Sequence, residues 1–358
     1  MLYHILYALR GSYSWLNVFR YQTFRAMAAF LVAFVFVLVF EPMFIRWLKE
    51  RGIKGQPIRD DGPSAHGVKQ GTPTMGGLVI VVAVAFATLL FADLTNLYVW
   101  LSLIVMSAFA WLGFVDDWRK ITQQNSKGLS ERAKLLSQCG IAAFGGLSLL
   151  IMGFSTDLAV PYLTELSFGL GLFFLPFVVL VVVGTSNAVN LTDGLDGLAI
   201  GPVMTVALTY ALFAYLTGHA HLSDYLNLHH VAGAGELAIL LSALMAAGLG
   251  FLWYNTFPAQ VFMGDTGALA LGGLLGFVAV IVKHELILVL AGGIFVIEAM
   301  SVLIQRYSYK LTGKRVFRMA PIHHHYELKG WAEPKIIVRF WIISIVLALV
   351  SLTSLKLR

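Results

Sequence analysis

The chain has 358 residues, of which 58% are hydrophobic and only 12% charged, with a mean hydropathy of +0.80 and a formal net charge of +6. A soluble domain of this length carries about twice that share of charge, so composition excludes a soluble globular protein and points to a polytopic membrane protein. Apolar runs of about 17–25 residues suit helices that cross a ~30 Å hydrocarbon core. Barrel strands would be about half as long and would alternate polar with apolar residues, so the fold class is all-α. The whole chain, 1–358, reads as one transmembrane domain.

Residues 1–20 hold Arg10, Arg20 and several aromatics but no cleavable signal, and read as an interfacial segment. About ten spans follow, over 21–47, 73–93, 97–115, 132–154, 170–187, 197–217, 236–254, 266–282, 286–306 and 337–355. Cys139 is the only cysteine, which excludes a disulfide and a thiolate metal site. Most Lys and Arg residues lie in the first, third and ninth loops, among them Lys49, Lys69, Arg119, Lys120, Lys134, Arg306 and Arg318. Among the even loops only Lys283 is basic. The positive-inside rule therefore makes the odd loops cytoplasmic and both termini external, with Arg10, Arg20, Lys356 and Arg358 against the trend. This distribution accounts for the net charge without nucleic acid.

On the cytoplasmic side, the third span ends in DDWRK, with Asp116, Asp117 and Lys120. Adjacent carboxylates at a bilayer edge repel each other, so they call for a cation or a reaction; one can hold a metal or a lysine while the other takes a proton. A solvated helix end is the plain alternative. Next comes VGTSNAVNLTDGLDGLAIG, where Asn187, Asn190 and Asp193 recur at i, i+3 and i+6 on one broad helical face. Its glycines let backbone approach a ligand, and a helix cap would explain one Asp of Asp193 and Asp196 but not both with two Asn. In YNTFPAQVFMGDTGALALGG, Asn255 and Asp265 bracket a Gly-rich loop; Asp265 suits Mg²⁺ as a hard oxygen ligand, and Phe262 can stack on a base or anchor at the interface. The ninth loop carries RMAPIHHHYELKGWAE. Consecutive His323, His324 and His325 lack the spacing of a zinc helix and fit a donor cluster for phosphate.

Other signals carry less. Gly233-Ala-Gly235 begins a GxGxxA match with no strand before it, and no P-loop occurs. The outer-loop His219, His221, Asp224, His229 and His230 read as a hydrated loop. Glu41 and Glu298 lie inside apolar spans, where carboxylates are costly and can mark a proton path; the plain alternative for Glu298 is a pair with a basic residue such as Arg306.

Together the four blocks resemble the polyprenyl-phosphate N-acetylhexosamine-1-phosphate transferases, from about residue 20 to the C-terminus. The triple histidine and GTPTMGGL from Gly71 to Leu78 resemble the branch that handles muramoyl pentapeptide. The resemblance implies ten transmembrane helices, a homodimer in the bacterial cytoplasmic membrane, and a Mg²⁺-dependent transfer at its cytoplasmic side. Phospho-N-acetylmuramoyl-pentapeptide would pass from its UDP carrier to undecaprenyl phosphate, giving lipid I and UMP. It further implies Mg²⁺ on Asp265 with Asn190, and the lipid phosphate at Asp116 and Asp117, one of them a base. Lys69, Lys120, His323 and His324 would hold phosphates, and Asp193, Asp196, Asn255 and Phe262 would shape the nucleotide region. Thr74, Asn187, Gln305 and His325 complete the expected substrate contacts. A relative using another UDP-sugar is the first alternative. A secondary transporter is a weaker one, since transporters place charge at the midplane and the acids here gather at one face.

Overall fold

The structure is a computed structural model and describes residues 1–51, 55, 71–123, 128–163 and 166–355. The interfacial segment forms α1 (Leu2–Ala8) and two short 3₁₀ turns, then α2 (Gln22–Glu50) runs from that end of the bundle, labelled outer from the loop charges, to the opposite, inner end. Pro42 lacks an N–H and so leaves the Leu38 carbonyl without its helical partner; the Tyr254 hydroxyl donates to that oxygen at 2.9 Å. The chain returns through α3 (Gly77–Phe91) and goes in again through α4 (Leu97–Thr122), whose start is capped by Asn96. From Ser130, which caps it, α5 (Glu131–Ile151) leads out to a small antiparallel hairpin of β1 (Asp157–Ala159) and β2 (Ser167–Gly169).

The remaining spans are α6 (Phe174–Thr192), α7 (Ile200–Gly218), α9 (Leu237–Asn255) and α10 (Gly264–Ile281), with the short α8 (Ala220–Tyr225) outside. Then come α11 (Glu285–Ala291), α12 (Gly293–Thr312), the short α13 (Ile322–Glu327) and α14 (Glu333–Leu352). Among the described residues, eight helices are long and apolar enough to cross a membrane; α11 and α12 make a ninth if counted together. The expected span over 286–306 is not straight: it breaks at Gly292 with a bend of 83°. The expected second span is the 15-residue α3, shorter than a full crossing.

At the centre stands α10, buried from Thr266 to Ile281. Without a solvent drive between helices in lipid, close packing needs small residues, and Gly272, Gly273 and Gly276 let Ser186, Phe109 and Val182 approach its backbone. Ser186 Oγ donates to the Leu269 carbonyl at 2.9 Å and ties α6 to this centre. Gly113 does the same on α4, where an added Cβ would collide with the Asp265 carbonyl oxygen. The first residues and the described end of α14 lie together at the outer end. The N-terminal amine donates to the Leu89 carbonyl, His4 pairs with Asp93 at 3.4 Å, and Tyr162 near the hairpin bonds Val350 at 3.1 Å. The inner end therefore gathers the C-terminal ends of α4, α6, α9 and α12 with the starts of α5, α7, α10 and α14.

Candidate active site

At the inner end of α4 the apolar run gives way to Asp116, Asp117 and, one turn on, Lys120, all held inside the protein rather than in solvent. Lys120 Nζ lies 2.7 Å from Asp116 Oδ2 and donates to Asp265 Oδ2 at 2.9 Å. Lys134, on the first turns of α5, donates to the same Asp265 oxygen at 2.6 Å and stands 3.7 Å from Asp116. Asn190 Nδ2 donates to the other oxygen, Asp265 Oδ1, at 2.6 Å. Asp116 Oδ1 also accepts from the Leu129 N–H at 2.7 Å.

Asp117 has a different task. The first N–H groups of a helix have no partner within it and attract a carboxylate. Asp117 supplies that carboxylate to α10 from a distant element, accepting from Asp265 N (3.2 Å), Thr266 N (2.9 Å) and Thr266 Oγ1 (2.8 Å). Gly264 makes the approach possible. Its φ is +72°, a conformation that favours glycine, and a Cβ there would lie 2.6 Å from Asp117 Oδ2 and 2.8 Å from Thr74 Oγ1. The buried Thr74 thus sits beside the same corner.

Oxygens of Asp116, Asp117 and Asp265 lie within 4.8 Å of one another, the only such acidic or histidine group among the described residues. The donors are hard oxygens, and three carboxylates facing two ammonium groups leave one negative charge over. That set fits a hard divalent cation, which favours carboxylates shared with phosphate and water. The outer histidines form no such group: His219 Nδ1 accepts from Leu222 N, and His230 Nδ1 lies 2.9 Å from the Thr217 carbonyl.

The turn between α6 and α7 carries Asp193, a half-buried residue whose carboxyl is closely surrounded. Burial first, and then the negative fields of Asp265, Asp117 and Asp196, push its pKa up to about 8. Asp196 accepts from Ala259 N at 2.9 Å and its own N–H donates to Glu333, so it pins the loop after α9 and the start of α14. Asn255 closes that loop by donating to the Val261 carbonyl at 2.8 Å. Phe262 anchors it through backbone bonds with Pro73 and Gly76 and leaves its ring half-buried.

The three histidines part company. His323 is fully buried on α13; its ring packs against Gly194, and Nδ1 lies 3.1 Å from Glu298 Oε1. Glu298 therefore faces His323 and not Arg306, because the short α13 folds back onto α12. His324 Nδ1 lies 2.6 Å from Glu327. His325 Nδ1 accepts from Arg318 N at 3.1 Å, and partial burial with Lys329 and Arg318 nearby lowers its pKa. Gln305 is occupied by the backbone at Val316 and Phe317. Asn187 turns to Gln138 on α5 (2.7 Å) rather than to the acidic cluster. Lys69 lies outside the described residues. Lys134 was missed by reading the chain, where it passes as one of several positive loop residues; its place four residues after the Ser130 cap was the available signal.

The model of Glycosyl transferase family 4 matches residues 99–283, and signature 1 of Phospho-N-acetylmuramoyl-pentapeptide-transferase matches residues 69–81. The phospho-N-acetylmuramoyl-pentapeptide-transferase of Citrifermentans bemidjiense is 55% identical over 359 residues, covering 100% of both chains. That of Pelobacter propionicus is 56% identical over 360 residues, again 100% of both, and that of Bartonella quintana 56% over 342 residues, 96% of each.

Proposed function

Since the chain belongs to the phospho-N-acetylmuramoyl-pentapeptide-transferase family, we propose how its own residues carry out the transfer. It is an enzyme of peptidoglycan synthesis that forms lipid I. Phospho-N-acetylmuramoyl-pentapeptide moves from its UDP carrier to undecaprenyl phosphate. A lipid phosphate oxygen bonds to the sugar-bearing phosphorus, the bond to the bridging oxygen breaks, and UMP leaves with the electron pair. Two polyanions must meet, so charge neutralisation dominates the barrier.

The observation that carries this reading is the meeting of Asp116, Asp265, Lys120 and Lys134 at the inner end of the bundle. Bound there, Mg²⁺ would neutralise diphosphate oxygens and stabilise the departing UMP. Asp265 and Asp116 are the residues to hold it, with Asn190 orienting Asp265. Lys120 and Lys134 then serve the phosphates. Asp117 is bonded to the start of α10, whereas Asp116 faces Lys120 and Lys134, the lysines assigned to the phosphates, so of the two adjacent acids Asp116 is placed to receive any proton from the lipid phosphate. The lipid phosphate itself is taken as the attacking group, with no aspartyl-phosphate intermediate. Asp193, with Gly194 and the Phe262 ring, forms the nucleotide side, while Asp196 and Asn255 hold its loop. Thr74, beside the Asp117 corner, is a further substrate contact, and Lys69, Gln305 and the histidines are assigned to the substrate on the family resemblance alone. The basic loops at this end support a cytoplasmic-facing site in the bacterial inner membrane, on a single-domain chain that pairs as a homodimer.

UMP release from purified protein given undecaprenyl phosphate, the UDP-muramoyl pentapeptide and Mg²⁺ tests the assignment. Chelator should stop it, and Asp265→Asn should fold normally yet lose about a hundredfold or more in rate. Wild-type turnover by Asp265→Asn would remove the metal assignment. A phosphorylated enzyme trapped with nucleotide substrate alone would remove direct attack.

A further inference from the structure

Asn187 and Gln138 form a closed pair of amides between α6 and α5. Asn187 Nδ2 donates to Gln138 Oε1 at 2.7 Å, and Gln138 Nε2 donates back to Asn187 Oδ1 at 3.3 Å. Asn187 Nδ2 is further fixed by the Val183 carbonyl at 2.8 Å. Gln138 is 1% exposed. Over residues 131–141 it is the one buried position of α5, and the buried contacts of that helix resume only at Ala142, Gly145, Gly146 and Leu149. The one fully buried contact in the site-facing half of α5 is thus a polar pair.

Helical spacing ties this pair to the reacting groups. Lys134 stands four residues before Gln138, and Asn190 three residues after Asn187, so each lies about one turn from the pair on the same helix face. Those two residues grip the two oxygens of Asp265. On one side the grip is rigid, since α6 is bonded to α10 through Ser186 and buries Ala188 and Val189. On the other side, Lys134 is assigned above to the phosphates, and a lysine turned to a phosphate would no longer tie α5 to Asp265. The amide pair remains. Apolar packing tolerates a slide along the helix axis, whereas a two-way amide bond is directional and loses both bonds on a slide.

We propose that Gln138 is a positioning residue for the transfer: through Asn187 it sets the register of α5 on α6, so that Lys134 meets the phosphates beside Asp265. The inference rests on the reading of Asp265 and Lys134 given above.

The test is a kinetic cycle on the full-length enzyme with its own substrates. Gln138→Met keeps the bulk and removes the bonds. It should lower kcat about ten- to a hundredfold, the cost of a misplacement of about 1 Å, with KM for the nucleotide substrate within about twofold. Combined with Lys134→Ala it should add nothing further, because the lysine it positions is already gone; combined with Asn190→Ala its effect should be additive. A wild-type kcat in Gln138→Met, or losses that add with Lys134→Ala, would overturn the proposal. If Gln138→Met does not fold, the exchanged pair Gln138→Asn/Asn187→Gln decides. It should restore most of the kcat lost in Asn187→Leu, and a folded exchanged pair with no recovery overturns the idea. Asp265→Asn run in parallel separates the two levels: if it turns over normally the site reading fails, and if it is dead while Gln138→Met is normal only the positioning role fails.

Discussion

Asp116 and Asp117 have the same chemistry and adjacent places, yet their partners divide the work. Three donors from the first turn of α10 meet Asp117, while Asp116 faces Lys120, Lys134 and a loop N–H. Removing Asp117 strands buried donors, at about 1–3 kcal/mol for a stranded group. Asp117→Ala is therefore expected to lower the unfolding temperature, and activity along with it. Asp116→Ala should lose turnover with a smaller drop in unfolding temperature, because Lys120 and Lys134 keep Asp265 as a partner. Thermal unfolding and UMP release on both variants check this; a stable Asp117→Ala beside an unstable Asp116→Ala would reverse the assignment. The chain pattern displayed the pair and could not apportion it, because both lie one residue apart on a helix end and only α10 tells them apart. Asn187 shows the same limit. Its i, i+3 relation to Asn190 was visible, but its partner Gln138 lies on a different helix.

Helices were the most legible level. The long apolar runs became helices, because a membrane-depth backbone must satisfy its own hydrogen bonds. The run over 73–93, however, gave only the 15-residue α3, and eight or nine helices, not ten, are long enough to cross among the described residues. The run over 286–306 is split into α11 and α12 at Gly292 and Gly293. Hydropathy reports average apolarity and carries no direction, so a run with a sharp turn looks like a straight one; paired glycines are a known place for such a kink. Close approach of α4 to α10 is the other element-level device. Gly113→Ala would press a Cβ against the backbone carbonyl of Asp265, which no rotamer can relieve. We expect this variant to lose at least about tenfold in kcat, or about 1–3 kcal/mol of stability as overpacking does, by UMP release and thermal unfolding. Wild-type values for both would show that the helices can separate without moving Asp265.

Across the whole molecule the two ends have separate duties. Chemistry-bearing groups sit at the inner end, and the outer end is tied by buried charge. Arg25 holds Glu236 through bonds of 2.7 and 2.6 Å, joins the Phe91 carbonyl, and lies over the Tyr3 ring at 4.1 Å. Glu236 also accepts from Gln22 and from Asp93 N. Arg25→Met leaves that carboxylate buried without its cation, an uncompensated charge that costs about 3–5 kcal/mol. The variant should melt at a clearly lower temperature while the folded fraction keeps the wild-type KM. A raised KM without loss of stability would instead connect the outer end to the site.

Composition, run length and the sidedness of Lys and Arg were enough to establish an all-helical membrane protein and to bring its acidic and histidine blocks to one face, because lipid imposes those patterns on the chain in one dimension. The family resemblance rested on local motifs for the same reason. What each polar residue does there was decided only in three dimensions. Asp117 caps a helix that starts 147 positions later in the chain, Lys134 reaches Asp265 from another helix, and His323 turns inward to Glu298. A carboxylate or an amide takes its role from the donors that packing places within hydrogen-bond reach, and residue order does not encode those distances.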